Sequence, residues 1–561
     1  MSADINTIWG SWIIEELCRL GSQYFCIGAG SRSTPLTNAA ANNDKAITKV
    51  FVDERSAAFY ALGVAKASDR PAVVITTSGT AMANALPAVI EARKSQTPLI
   101  LISADRPPEL QESGANQTID QVKMFGRHVI DYIGLPCPSA EVRAHYLLGR
   151  INHAFQVSIG YPRGPVHINA PFRKPLGPSP TNDMSPWPDD GPWMTRHPIS
   201  MEMGKEGLMA LSKFIDKKPG GIIIIGTLNS ARERDAAKQI IAESPWPSFI
   251  DISAGFQSTD ALPMTLLQSS QGRAALKDRV VLHLGGNMVS TGAARTIEMA
   301  PECLQINPQK GNLEPESKNK SVIQASISSI PSLKWPWEEK LKLHCRRLQN
   351  NIETALEISM SDALTEMSMV FHLSKLLDSE VCSFWSNSMP VRDANAFVKW
   401  KHSDVAIGTN RGASGIDGII ASAAGFQAAH NKPCIVTIGD LAAWHDLSSL
   451  MHLAAFRQPL LLIVPNNGGG GIFSFLPISK ESDAFESHFA VAHNMRFAEL
   501  SKAMGMECTQ PDSIHSFIEM VKDFIASPRL MVIELYFKRD ENVKQHDTVN
   551  RIIDDIVQGG I

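Results

Sequence analysis

A chain of 561 residues is too long for one core, and domains of about 100–200 residues predict three. Lys and Arg total 53 against 57 Asp and Glu, a formal charge of −4, so no basic field exists for nucleic acid or an anionic membrane and small-molecule chemistry is favoured. The 8 cysteines are scattered with no C-x-x-C pair or zinc spacing, and the apolar runs fall far short of the ~20 residues of a membrane span. Free thiols, no targeting leader in MSADINTIWG, no membrane span and a cytoplasmic location are the expectations.

In chain order, the first third alternates the β-rich runs YFCIGAG, TKVFV, PAVVITTSG and PLILISADRPP with Ala-rich amphipathic stretches. Apolar strands separated by helices predict a parallel sheet covered on both faces. The Pro/Asp/Trp-rich GPSPTNDMSPWPDDGPWMTRHP then marks a seam, and GGIIIIGTLN and RVVLHLGGN supply strands of a middle domain that closes near SLKWPWEEKLKLHCRRLQNN. The opening rhythm returns in SDVAIGTNRG, PCIVTIGD, PLLLIVPNNGG and RLMVIELYF. The expected class is α/β, with domains at 1–183, 196–345 and 360–561, each a mainly parallel sheet flanked by helices, and with related architecture in the first and last.

In open parallel sheets ligands bind at the carboxyl ends of strands, and the chemically suggestive residues lie there. Asp440 follows CIVTIG and Asn467 follows LLLIVPN, so both are expected at one sheet edge. A carboxylate, an amide oxygen and a carbonyl from the following Gly-rich turn suit a hard divalent cation carrying a diphosphate, and the glycines let backbone approach phosphate. The alternative is that Asp440 caps the helix LAAWHDLSSLMHLAAF and NNGGGG is a plain turn. Glu54, opening an Ala-rich helix in FVDERSAAFYALGVAKAS, reads alone as a first-turn acid favoured by the helix dipole.

GD with an Asn 27 residues after its Asp (467 − 440) resembles the metal and diphosphate signature of thiamine diphosphate enzymes. GAGSRSTPLT, VDERSAAF, TSGTAMANALPAVIEA, SADRPPEL, GANQTIDQVKMFG, GPVHINAPFRKPL, NSMPVRD, NRGASGIDG and NNGGGGIFSFLP resemble the motifs of the 2-succinyl-5-enolpyruvyl-6-hydroxy-3-cyclohexene-1-carboxylate synthase (MenD) family of menaquinone biosynthesis. The resemblance covers both terminal thirds and is weak through the middle. It implies a pyrimidine-binding first domain with the catalytic Glu, a middle domain carrying no nucleotide, and a diphosphate- and metal-binding third domain. The implied reaction decarboxylates 2-oxoglutarate and adds the four-carbon acyl anion equivalent to isochorismate in 1,4 fashion.

By the same resemblance Glu54 hydrogen-bonds the cofactor pyrimidine, and a largely apolar site would raise its pKa and strengthen that bond. Ile416 wedges the bent cofactor, and Ser78, Gly79, Leu441, Ile472 and Phe473 border it. Asp440, the Asn467 side chain and the Gly469 carbonyl hold Mg²⁺ or Mn²⁺. Ser31, Arg32, Asn116, Gln117, Ser388, Arg392 and Arg411 match the substrate positions, where Arg forks and polar donors suit polyanionic acids. GAGSRS lacks the third Gly of G-x-G-x-x-G, which disfavours a nicotinamide reading.

Three departures stand out: Ala29 for a usual Pro, Gly468 for a third Asn, and Thr291 where the family has a substrate-binding Lys at or near that point. Arg295, one turn onward, is the candidate replacement charge. The competing readings are another thiamine-dependent 2-oxo acid decarboxylase or carboligase, a non-catalytic metabolite-binding paralogue, and an FAD-binding middle domain, the last weakened by the lack of a glycine-rich phosphate loop after IIIIG. A homodimer or homotetramer with the cofactor between subunits is what the resemblance implies.

Overall fold

The structure, a computed structural model, describes residues 2–177, 185–197, 199–218, 220–309, 320–335 and 339–560; the expected domain limit at 183 and parts of both seams lie outside the described residues. Three parallel sheets flanked by helices are present, as the strand pattern predicts. The chain divides into two compact units: residues 1–199, 410–431 and 445–456 form the first, and residues 200–409, 432–444 and 457–561 the second.

In the first unit, β1 (Tyr24–Gly28), β2 (Ile47–Phe51), β3 (Ala72–Thr76), β4 (Leu99–Asp105), β5 (Asp131–Gly134) and β6 (Pro165–Pro171) are ordered β2-β1-β3-β4-β6-β5. β3, β4 and β6 are buried at every residue, as strands covered on both faces must be. Trp9, Ile13, Phe25, Val73, Ile100, Phe155 and Ile168 share one core. The helix Glu54–Ser68 starts at Asp53, whose side chain accepts the Arg55 N–H at 2.9 Å, and packs on the helix Ile419–His430. That crossing needs two glycines, because a Cβ at Gly63 would lie 1.9 Å from the Ser422 carbonyl oxygen and one at Gly425 the same distance from that of Tyr60.

The second unit holds two sheets. β7 (Gly221–Ile225), β8 (Ser248–Ile250), β9 (Val280–Leu284), β10 (Cys303–Ile306) and β11 (Lys320–Ile323) are ordered β11-β10-β9-β7-β8. β12 (Cys382–Trp385), β13 (Ala406–Thr409), β14 (Cys434–Thr437), β15 (Leu460–Asn466), β16 (Glu507–Thr509) and β17 (Met531–Tyr536) are ordered β13-β12-β14-β15-β17-β16. This is the strand order of the first sheet, as the shared rhythm of the terminal thirds anticipates. In all three sheets the order reverses beside the first strand, at β1/β3, β7/β9 and β12/β14. Such points open the crevice in which α/β proteins bind ligands.

The helix Arg539–Gly560 does not stay with the strands that precede it. Its Val549, Ile553 and Val557 belong to the same buried cluster as Ile222, Ile224 and Phe249 of the middle sheet and Leu348 and Ile352 of the helix Glu339–Ser359. The eight cysteines are all free. Among the described residues no helix is long and apolar enough to cross a membrane.

Candidate active site

Each expected site residue of the first unit except Arg411 and Ile416 lies in the segment that follows a strand of the first sheet. Ser31 and Arg32 follow β1 in the turn Ser31–Ser33, Glu54 follows β2, and Ser78 and Gly79 follow β3. Glu54 is half-buried and its Oε2 accepts the Asn84 Nδ2–H at 3.2 Å. Gly28 makes room for that side chain, since a Cβ there would lie 2.8 Å from Glu54 Cγ. Arg32 is buried, donates through Nη1 to the Phe172 carbonyl at 2.5 Å, and has its guanidinium pKa lowered by burial and by the neighbouring Arg106.

Ser78, Gly79 and Gln117 come together. Gln117 Nε2 donates to the Ser78 carbonyl at 2.9 Å, and Ser78 Oγ donates to the Gln117 carbonyl at 3.1 Å. Gly79 sits at φ +87°, and a Cβ would lie 2.9 Å from Gln117 Cγ, so glycine is required twice over. Asn116 and Gln117 are exposed on their loop.

Behind this loop lies a buried polar chain that sequence reading did not identify. Gln121 Oε1 accepts the Gly79 N–H at 3.0 Å, while Gln121 Nε2 donates to Asn169 Oδ1 at 3.0 Å. Asn169 also accepts from Ser103 Oγ at 2.7 Å and donates to Asp105 Oδ2 at 2.8 Å; Ser103 Oγ meets His167 Nε2 at 2.7 Å. Burial raises the Asp105 carboxyl and lowers the His167 imidazole to about 3, so His167 is neutral. Arg106 Nη1 donates to Ser78 Oγ, adding a cation to the loop.

Arg411 and Ile416 lie on a loop of the same unit. Glu91, buried in the helix Leu86–Lys94, accepts the Gly412 N–H at 2.9 Å and the Ala413 N–H at 2.6 Å, and Lys66 pairs with it at 3.1 Å. Ile416 is 38% exposed, which rules out the ordinary reading of an Ile as core and suits a wedge. Asp446, fully buried, accepts the Ile420 and Ala421 N–H groups at 2.7 and 3.1 Å and so holds the start of the helix Ile419–His430; burial pushes its carboxyl up to about 6.

In the second unit, Asp440 follows β14 and Asn467 follows β15, on paired neighbouring strands. Asp440 is 2% exposed; its Oδ2 accepts the Gly469 N–H at 3.0 Å and lies 3.4 Å from His493 Nε2, and its Oδ1 accepts the Leu441 N–H at 2.6 Å. Burial raises its carboxyl above the ordinary range despite the Gly469, Leu441 and Gly468 N–H groups. Asp440 does open the helix Asp440–His445, but it turns one oxygen to Gly469 rather than to that helix. Ile472 and Phe473 follow in the turn Gly471–Phe475.

Asn467 Nδ2 donates to Glu366 Oε1 at 3.0 Å, and its buried Oδ1 has no partner. An orphaned amide oxygen, a buried carboxylate on the adjoining strand exit, and a glycine carbonyl at Gly469, whose φ of +148° excludes other residues, fit the oxygen ligands of Mg²⁺. Among the described residues no group of three or more His, Cys, Asp or Glu could hold a metal ion. A cavity of about 470 Å³, lined by Asn467, Gly468, His493, Arg496 and Arg539 among others, adjoins it. Glu366, 3% exposed, has its carboxyl pushed up to about 7 by burial.

Ser388 and Arg392 start the helix Met389–Ala396 after β12, where Arg392 Nη1 donates to the Ser388 carbonyl at 2.5 Å. Asn395 of that helix donates to Asp251 Oδ2 at 2.9 Å, the same oxygen that accepts the Val289 and Ser290 N–H groups at 3.0 and 2.9 Å. Asp251 thus ties the helix Met389–Ala396 to the loop before Thr291. Thr291 and Arg295 are exposed.

Three family profiles match the chain: the thiamine pyrophosphate enzyme N-terminal TPP binding domain over residues 9–124, the middle domain of thiamine pyrophosphate over 182–384, and the thiamine pyrophosphate enzyme C-terminal TPP binding domain over 392–535. Curated relatives match along nearly the whole chain. A protein of Pelodictyon phaeoclathratiforme is 39% identical over 97% of this chain and 95% of its own length, and one of Chlorobium phaeobacteroides is 38% identical over 99% of each. A third, from Chlorobaculum tepidum, is 34% identical over 99% of each, and all three carry the name 2-succinyl-5-enolpyruvyl-6-hydroxy-3-cyclohexene-1-carboxylate synthase. With three thiamine-enzyme domains in sequence and relatives of one name matching along almost the whole chain, this protein belongs to the 2-succinyl-5-enolpyruvyl-6-hydroxy-3-cyclohexene-1-carboxylate synthase family of thiamine pyrophosphate enzymes.

Proposed function

We propose that the chain decarboxylates 2-oxoglutarate and adds the remaining four carbons to isochorismate in 1,4 fashion, giving 2-succinyl-5-enolpyruvyl-6-hydroxy-3-cyclohexene-1-carboxylate for menaquinone biosynthesis, with thiamine diphosphate as cofactor. The observation in the molecule that carries this reading is the buried, unpartnered Asn467 Oδ1 beside the strand exit bearing Asp440. Asp440, Asn467 and the Gly469 carbonyl would hold Mg²⁺ or Mn²⁺ and through it the diphosphate. Thiamine diphosphate, when bound, supplies the electron sink that lets a 2-oxo acid lose CO₂.

The other steps fall to this chain's side chains. Glu54 would hold a proton between its carboxylate and the pyrimidine ring, and Ile416 would press the cofactor into its bent shape. Ser78, Gly79, Leu441, Ile472 and Phe473 would line it. Arg32, Arg392 and Arg411 would clamp substrate carboxylates, with Ser31, Asn116, Gln117 and Ser388 donating to the remaining oxygens. The domains would run over 1–183, 196–345 and 360–561, in a cytoplasmic homodimer or homotetramer whose cofactor lies between subunits.

A nucleotide-free middle domain is supported by its own crevice. At the β7/β9 reversal the Gly226 N–H donates to the Leu284 carbonyl at 2.9 Å, the Gly286 N–H to the Thr227 carbonyl at 2.9 Å, and the Thr227 N–H to the Asn287 carbonyl at 3.0 Å. A Cβ at Gly226 would lie 2.2 Å from the Gly286 oxygen. The two strand exits are thus bonded to each other at the reversal where a nucleotide would be expected to enter.

The test is to incubate purified protein with thiamine diphosphate, Mg²⁺, 2-oxoglutarate and isochorismate, following isochorismate loss and identifying the product by mass. Product that requires both substrates supports the reading and makes Thr291 a tolerated variation. Decarboxylation with isochorismate untouched would keep the cofactor site and replace the acceptor. Consumption of neither would favour a binding paralogue.

A further inference from the structure

The geometry points to Glu366 as a positioning residue that sets which end of the Asn467 carboxamide faces the metal site. It rests on the reading of Asp440, Asn467 and Gly469 as the metal edge. An asparagine side chain offers an oxygen at one end and an NH₂ group at the other, and only the oxygen ligates a hard cation. What decides the orientation is the partner at the opposite end.

Here that partner is a carboxyl oxygen. Glu366 Oε1 lies 3.0 Å from Asn467 Nδ2, so the amide nitrogen is turned to Glu366 and Oδ1 is left without any protein partner. Two further features hold the arrangement. Glu366 is 3% exposed at the first position of the helix Glu366–Ser374, whose start is fixed by the reciprocal Thr365 and Ser368 capping bonds at 2.8 and 3.0 Å. The nitrogen end of the carboxamide also lies close to Gly471, where a Cβ would come within 2.6 Å of Nδ2. Glu366 stands 101 residues before Asn467, outside the turn that carries the ligands, which is why spacing did not point to it.

A glutamine at 366 would remove this discrimination, because its own amide satisfies Asn467 either way round and in one of them ties up Oδ1. Exchanging the two groups should restore it: in Glu366→Gln with Asn467→Asp, the new amide donates to one oxygen of the new carboxylate and leaves the other for the metal. The probe is Mn²⁺, titrated into full-length protein at saturating thiamine diphosphate and followed by the loss of free-ion paramagnetic resonance. Glu366→Gln is expected to weaken Mn²⁺ binding by about 10–100-fold, Asn467→Asp to weaken it also, and the double variant to bind more tightly than either. A purely structural role for Glu366 would give additive losses and no rescue.

Glu366→Gln binding Mn²⁺ like the unaltered protein, or a double variant weaker than both single ones, overturns the inference. Should Glu366→Gln fail to fold, the comparison of Asn467→Asp with the double variant decides alone. Asp440→Ala separates the two levels: if it abolishes Mn²⁺ binding while Glu366→Gln does not change it, the metal edge stands and only the role of Glu366 falls. If the unaltered protein takes up no Mn²⁺, the reading of the edge fails and the inference with it.

Discussion

The first and third sheets share one strand order, yet they hold their polar residues by different means. In the third, Asp440 and Asn467 sit one to three residues past paired strands, and backbone N–H groups of Leu441 and Gly469 fix the carboxylate. In the first, the loop bearing Ser78 and Gly79 hangs on side chains, through Gln121 to Asn169, Ser103 and His167. Backbone donors move only with the sheet, whereas a chain of amides and hydroxyls depends on every member being satisfied. One topology therefore carries a carboxylate edge fixed by backbone and a loop whose position is adjustable by sequence.

The strongest way to break this comparison is Glu54→Gln. If the first edge does proton chemistry and the third holds the metal, turnover falls by about 10²–10⁴-fold while Mn²⁺ affinity stays unchanged; a joint loss in a titration and a turnover assay would erase the division. Next come two buried carboxylates with opposite shifts. For Asp446 burial dominates, its folded carboxyl is protonated up to about 6, and its contribution to stability falls by about 3 kcal/mol as pH rises from 3.8 to about 6.

Glu534 is the reverse: burial works against it, but the Phe497 and Ala498 N–H groups and the Asn466 amide hold its carboxyl below the ordinary range. Its contribution is present at neutral pH and lost as acid is added. Denaturant unfolding across pH should show Asp446→Asn flattening the decline above pH 4, with Glu534→Gln weakening the neutral plateau instead. Gln121→Leu should cost about 1–3 kcal/mol in the same measurement and raise substrate KM more than it lowers kcat, since it orphans the Gly79 N–H. Smallest is Arg295→Ala: an exposed cation contributing under about 1 kcal/mol should raise the KM of one substrate by no more than about fivefold, and an unchanged KM removes it from the site.

What was legible in the sequence follows from the same contrast. Asp440, Asn467 and Glu54 each stand just after an apolar run, so the strand pattern put them at a sheet edge, whereas Ser78 came from the family resemblance. Gln121, Asn169, Glu91 and Glu366 were not legible. Gln121 and Glu91 lie inside segments already singled out, but their partners are 42 and 321 residues away, and only the folded sheet order brings them together. Glu366 beginning a Met- and Phe-rich helix reads as an ordinary first-turn acid. The helix Arg539–Gly560 falls inside the expected 360–561 domain yet covers the middle sheet, and an amphipathic helix does not disclose which core it covers.

That helix also sets a clock. Val549 joins the cluster of Ile224 but is synthesised 325 residues later (549 − 224). At about 5–20 residues per second, the ribosome takes roughly 16–65 s to deliver it. During that interval the nascent middle sheet presents Ile222, Ile224 and Phe249 without their final cover. A chaperone that shields aliphatic surface on ribosome-bound chains would find a long-lived target here, in the interior of the sequence.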